Sequence, residues 1–228
     1  MDFGEIVEPS SRAFWDDFEE VEDNCKIEVE LQYQNPKSDC FPTELDRIII
    51  IEGSNILEFL KATLIKGREP TCRIKNSLVT IYHFEEYRTI VCISEENDLN
   101  LAGALTELLE PWLKVAKKVV TISIQPKILY KGEETTDMHN ATFIRGINST
   151  LKNIPELETP NFITGLSAGA ASWRYCQNMS ISSYLAYVDS PTLDTLSTEP
   201  ILKLLNDLEV KCDRKYVVKS RDQSHVYM

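Results

Sequence analysis

The feature that most restricts the fold is the run Arg47-Ile48-Ile49-Ile50-Ile51-Glu52-Gly53. Four successive isoleucines leave a strand no face that water can solvate, and their stiff, branched side chains suit a pleated surface. A strand of this kind has to be covered on both sides, which is the habit of central parallel strands in α/β proteins. Gly53-Ser54-Asn55 supplies a turn, and Ile56, Leu57, Leu60 and Leu64 follow at helical spacing. The run therefore opens a βα unit.

The remaining chain keeps that alternation. Residues 26–33 place Ile27, Val29, Leu31 and Tyr33 on one face, the pattern of a half-buried edge strand. SLVTIYHF (77–84) and YRTIVCIS (87–94) read as two strands joined by a tight turn at Glu85-Glu86. From Asp98, Leu101, Leu105, Leu108, Leu109 and Trp112 form one helical stripe, and Pro111 is expected to kink the helix or start a second segment. VVTISI (119–124) is a buried strand. Residues 125–158 carry the weakest pattern, with one helical stretch expected around Met138–Leu151. Then come NFITG (161–165) as a short strand, LSAGAASWRYC (166–176) as a small-residue helix, SSYLAYVD (182–189) as a strand, and Leu193–Leu208 as an amphipathic helix with Pro200 near its start. The expected fold class is α/β: a single three-layer domain with a mostly parallel or mixed central sheet and flexible N- and C-terminal tails. Its divisions fall at 1–24, an acidic arm, 25–212, the domain, and 213–228, the tail.

Charge narrows the partners. The 228 residues carry 24 basic and 36 acidic side chains, a formal net charge of −12. Nucleic acid and anionic membrane both demand a positive surface, so neither is expected as a main partner, whereas a basic protein is compatible. Cys25, Cys40, Cys72, Cys92, Cys176 and Cys212 are scattered with no C-x-x-C pair. With the opening MDFGEIVEPS in place of a basic, apolar signal peptide, they are expected to be reduced and mostly buried thiols of a cytosolic protein. The sequons at Asn140, Asn148 and Asn178 then carry no glycan. His83 stands alone in its strand, without a second ligand or catalytic partner at a recognisable spacing.

One segment suggests catalysis. Gly165-Leu166-Ser167-Ala168-Gly169 matches G-x-S-x-G between an expected strand and an expected helix, the setting of a nucleophile elbow. Asp189 and His225 follow in the chain order of an α/β-hydrolase. Against a triad, only one strand separates Ser167 from Asp189, no glycine-rich oxyanion loop is visible, and His225 lies in a polar tail that would not hold a base in place. The competing reading makes Ser167 the cap of a helix whose small residues permit close packing. No P-loop, dinucleotide fingerprint or metal-ligand spacing is present, so neither a cofactor nor a metal is expected.

The two ends are distinct from the domain. Asp16, Asp17, Glu19, Glu20, Glu22 and Asp23 make an acidic arm with Phe14, Trp15 and Phe18 as aromatic anchors. The polar run Lys219–Ser224 precedes His225-Val226-Tyr227-Met228. Such an ending offers an apolar side chain, a phenol and a terminal carboxylate, three groups that a receiving pocket can recognise.

Residues 160–205 add a resemblance. A PNFI opening, a small-residue helix ending Tyr175-Cys176-Gln177, a strand closing on Tyr187 and Asp189, and a helix carrying Leu193-Asp194 and Pro200-Ile201-Leu202 together resemble the proteasome assembly chaperone 1 family. Phe3–Val7 resembles that family's opening, and Val226-Tyr227-Met228 its hydrophobic-Tyr-any (HbYX) ending. The resemblance implies an α/β fold and a non-enzymatic chaperone of the cytoplasm, with the nucleus also open. It implies pairing with a related proteasome assembly chaperone 2-like subunit. The heterodimer would bind proteasome α-subunits and promote assembly of the α-ring of the 20S core particle. The tail would enter a pocket between α-subunits, with Val226 as apolar anchor, Tyr227 as packing phenol and Met228 as donor of the carboxylate. The chain departs from the family by lacking a long middle extension and by its two glycines, Gly165 and Gly169.

Overall fold

The computed structural model describes residues 29–33, 42, 44–132, 136–190, 192–213 and 216. Eight strands form one sheet: β1 (Leu31–Tyr33), β2 (Leu45–Glu52), β3 (Cys72–Ile74), β4 (Val79–Phe84), β5 (Thr89–Ser94), β6 (Ala116–Pro126), β7 (Thr142–Ile147) and β8 (Ser182–Val188). Their spatial order is β1-β3-β4-β5-β2-β6-β8-β7. The isoleucine strand β2 lies inside, parallel to β5 on one side and to β6 on the other, and β6 is parallel to β8. The remaining pairs, β1·β3, β3·β4, β4·β5 and β7·β8, are antiparallel. The sheet is mixed, with a parallel centre.

The four isoleucines divide between two layers, as a period of two requires. Ile49 and Ile51 enter a core with Phe59 and Leu60 of α1 (Ile56–Leu60) and with Ile201 and Leu205 of α4 (Thr195–Asp207). Ile48 and Ile50 enter a second core with Leu105 and Trp112 of α2 (Ala102–Val115) and with Leu166 and Ala170 of α3 (Gly165–Cys176). Each isoleucine is at most 2% exposed, so each contributes on the order of 1.5–3 kcal/mol of burial free energy. The three-layer α/β expectation holds for these residues.

Several local details differ from the expected pattern or add to it. The stretch around Met138–Leu151 is no helix: a 3-10 turn (Thr136–His139) leads into β7, which pairs with β8 from Thr142↔Val188 to Ile147↔Ser183. Branched Thr142, Ile144 and Ile147 suit that edge, and Asn148 leaves it at φ 50°. NFITG is not a strand, because the Asn161 side chain bonds both the amide and the carbonyl of Lys131 and holds the segment as a loop. Pro111 neither ends nor divides α2, since it sits on the exposed side, where the carbonyl its missing N–H leaves free can meet water. After α1 the helix widens into a π turn at Lys61–Ile65 and stops at Lys66 (φ 50°). The short strand β3 carries too little alternation to be seen in the sequence. The edge position expected for residues 26–33 holds for Leu31–Tyr33.

Candidate functional site

The Gly165–Gly169 motif lies where the C-terminal end of β2 meets the start of α3. Glu52, the last residue of β2, is only 3% exposed. Its carboxylate accepts the N–H of Leu166 at 3.1 Å on one oxygen and the N–H of Ser167 at 3.0 Å on the other. Two of the four N–H groups that a helix start leaves unpaired are thereby satisfied from another element. Burial pushes the Glu52 carboxyl above its ordinary range, opposed by these donors. The Ser167 hydroxyl adds to the field favouring the ionised form. It nonetheless reaches hydrogen-bond geometry with no atom among the described residues.

Both glycines of the motif serve packing. Gly165 has φ 70°, and a Cβ there would overlap the Glu52 carboxylate and the Asn97 amide. A Cβ on Gly169 would overlap the Thr106 hydroxyl, so this glycine sets the approach of α3 to α2. Thr164 precedes the helix in extended conformation and makes no side-chain cap. Its hydroxyl instead accepts from Asn97 Nδ2 at 2.7 Å. The capping role expected of Ser167 thus belongs to Glu52, and Ser167 sits within the first turn, fully buried. The segment lacks the exposed nucleophile, and the immediately preceding strand, that an elbow requires. Asp189, half exposed, pairs with Lys127 at 2.9 Å. His225 lies outside the described residues, so the structure brings no triad together. Among the described residues, no group of three or more His, Cys, Asp or Glu side chains is placed to hold a metal ion, and no helix is long and apolar enough to cross a membrane. Cys72 and Cys92 are buried thiols, Cys212 is half-buried and Cys176 exposed. His83 is a half-buried strand residue whose burial lowers its pKa.

Val226, Tyr227 and Met228 also lie outside the described residues, as does the acidic arm 1–24. What is described is the root from which the tail departs. α4, capped by Asp194 accepting from the Ser197 N–H at 2.7 Å, ends at Leu208, and Glu209 turns the chain at φ 60°. Arg47 at the start of β2 donates to the Leu208 carbonyl at 2.6 Å and pairs with Glu209 at 3.3 Å. The Asp213 N–H donates to the Thr63 carbonyl, one of the acceptors left open where the π turn ends, at 2.9 Å. The Asp213 carboxylate meets Lys66 at 2.6 Å. Tyr216 then stands edge-on to Phe59, ring centroids 5.2 Å apart. Residues 208–213 and Tyr216 are thus tied to β2 and to the α1–π segment. No local pattern announces these contacts, because their partners stand far away in the chain.

Searches for related proteins return likeness of structure only. No family model and no curated protein matches the chain. Among solved structures, Pyrococcus furiosus PbaA, described as an archaeal homolog of proteasome-assembly chaperone, aligns with TM-score 0.53 and 14% identity, covering 80% of this chain and 86% of that one. Pyrococcus furiosus PbaB, described as an archaeal proteasome activator, gives TM-score 0.53 and 12% identity over 82% of this chain and 91% of that one. A Thermoplasma acidophilum protein of unknown function gives 0.51 and 10%, with 75% and 80% covered. At these identities what is shared is the fold: this α/β sheet is the one on which those archaeal proteins are built.

Proposed function

We propose that the chain is a non-enzymatic assembly chaperone of the proteasome core particle. It acts as a heterodimer with a related subunit and binds α-subunits to promote α-ring formation in the cytoplasm, with the nucleus also open. The tail is its principal contact: Val226 is buried as the apolar anchor, Tyr227 packs its phenol, and Met228 presents the terminal carboxylate to a pocket between α-subunits. The observation carrying this reading is the conjunction of a fold shared with the archaeal chaperone homolog over four-fifths of the chain and the ending Val226-Tyr227-Met228. The anchored root at Arg47, Lys66 and Phe59 supports it further, since it gives such a tail a fixed point of departure. Full burial of Ser167 weighs against the serine-hydrolase alternative built on Ser167, Asp189 and His225.

The test is affinity purification from cells, read by mass spectrometry, with the intact chain and with Val226–Met228 deleted. The intact chain should bring down α-subunits and a small related partner. The truncated chain should retain the partner and lose most of the α-subunits. Equal recovery of α-subunits by both would remove the tail from the mechanism, and recovery of no proteasome subunit would remove the function. Tyr227→Ala should weaken capture more than Met228→Ala, because a buried aromatic dominates such contacts while the last residue supplies chiefly its carboxylate.

A further inference from the structure

A cleft of about 460 Å³ opens beside the tail root, on the side of the sheet covered by α1 and α4. This volume lies within the range of small-ligand sites, roughly 300–1,000 Å³. Its floor is apolar: Ile49, Leu64, Phe84, Val91 and Val210 line it, all buried. Its rim is basic, with Arg47, Lys66, Arg68 and Lys211, against the two carboxylates Asp46 and Glu209. In a chain of net charge −12, a cleft whose wall carries an excess of positive charge departs from the average surface.

The pairing of these charges sharpens the point. Asp46 is engaged by Arg88 and Lys117, each at 2.8 Å and neither lining the cleft, so its charge is already matched. Lys66 and Arg68 meet Asp213 and Glu86 in exposed, solvent-screened pairs, and each cation keeps further N–H donors that a second anion can share. Lys211 meets no carboxylate among the described residues: its ammonium lies 4.8 Å from the Tyr87 ring centroid and 3.4 Å from the Tyr87 hydroxyl. The Arg68 guanidinium lies over the Phe84 ring at 4.9 Å. Ring faces and positive heads thus alternate around an apolar floor.

We propose that this cleft is a binding site for an apolar or aromatic carboxylate: the hydrocarbon body rests on Ile49, Phe84, Val91 and Val210, and the carboxylate is held by Lys211 with Lys66. The proposal does not rest on the chaperone reading. The same chemistry has two sources, a free carboxylic acid or the chain's own terminal carboxylate beside Tyr227, and the experiment separates them.

The probe is 4-phenylbutyrate, compared with its neutral primary amide, titrated into the full chain and followed by amide shifts of Tyr87, Val91 and Val210. The acid is expected to shift these amides and to bind at least roughly tenfold more tightly than the amide. It is expected to lose about the same factor in the Lys66→Gln/Lys211→Gln double variant, whose exposed substitutions leave the melting temperature near that of the parent. In the Tyr227→Ala full chain, tighter binding identifies the chain's own end as a competitor for the cleft, and unchanged binding identifies a free ligand; both results uphold the site. Equal binding of acid and amide, shifts confined to other residues, or no shift up to the solubility of the acid would overturn it.

Discussion

β2 carries Arg47 near its start and Glu52 at its C-terminal end, and the two regions these opposite charges organise differ in kind. At its C-terminal end Glu52 is sealed beneath α3, with both oxygens engaged by backbone N–H groups. Near its start Arg47 reaches outward to the Leu208 carbonyl and Glu209 at the rim of an open cleft. The closed end carries the sequence motif that suggests chemistry, yet its serine is buried and its glycines are matters of packing. The open end carries no motif at all, and it holds the root of the tail. A pattern recognised in sequence therefore marks a constraint on the backbone at least as readily as a site, and exposure decides between the two.

That comparison can be broken by substitution. Changes at the closed end should register in stability, and changes at the open end in binding. The largest effect is expected from Glu52→Ala, which strands two buried N–H groups and opens a void. The loss should be about 3 kcal/mol in urea unfolding, and a loss below about 1 kcal/mol would mean that α3 is held by its apolar face alone. Gly165→Ala should cost about 2 kcal/mol, from the positive φ and the overlap with Glu52, measured the same way.

Tyr216→Ala should cost only about 1 kcal/mol by loss of the edge-on contact with Phe59, while loosening the tail root enough to lower α-subunit capture. Asp213→Asn should change stability by less than about 1 kcal/mol, and that small difference should vanish in high salt, because its pair with Lys66 is half exposed.

A pH series sharpens the contrast. Glu52 is held above its ordinary value of 4.5 by burial, so the folded protein keeps this proton more tightly than the unfolded chain does. The corresponding stability is full below about that value and is lost as pH rises through the higher folded one. The stability of the parent relative to Glu52→Gln should therefore fall as pH is raised from about 4 toward neutrality. A flat difference would show that the helix donors fully offset the cost of burial.

Much of the architecture was legible because it rests on local periodicity. Ile48–Ile51, the β4–β5 pair, the stripe from Leu101 to Trp112 and the small-residue helix of α3 each announce their environment within about ten residues. β7 was not, because Thr142–Ile147 becomes a strand by lying against β8, a choice made by tertiary pairing. NFITG has strand-forming residues, but the Asn161–Lys131 bonds claim its backbone for a loop. In the candidate site, the glycines were legible as close-packing positions, whereas Glu52 as the partner of α3 was not, since no local pattern links a strand end to a helix start so far along the chain. The tail residues Val226, Tyr227 and Met228 were singled out by the chemistry of the ending together with the family resemblance, and their test lies in solution.

The separation between Glu52 and its helix has a temporal side. Leu166 follows Glu52 by 114 residues, so a ribosome adding about 5–20 residues per second delivers the helix roughly 6–23 s after the strand. Through that interval the carboxylate has no helix to receive, and the α2/α3 side of β2 lacks part of its cover. The nascent chain spends those seconds with an aggregation-prone isoleucine ribbon awaiting its lid, and holdase binding to the emerging N-terminal half should be strongest in that window. The clamp that fastens the finished protein is also the step that completes the cover of the Ile48/Ile50 face of β2, while the Ile49/Ile51 face waits longer, for α4.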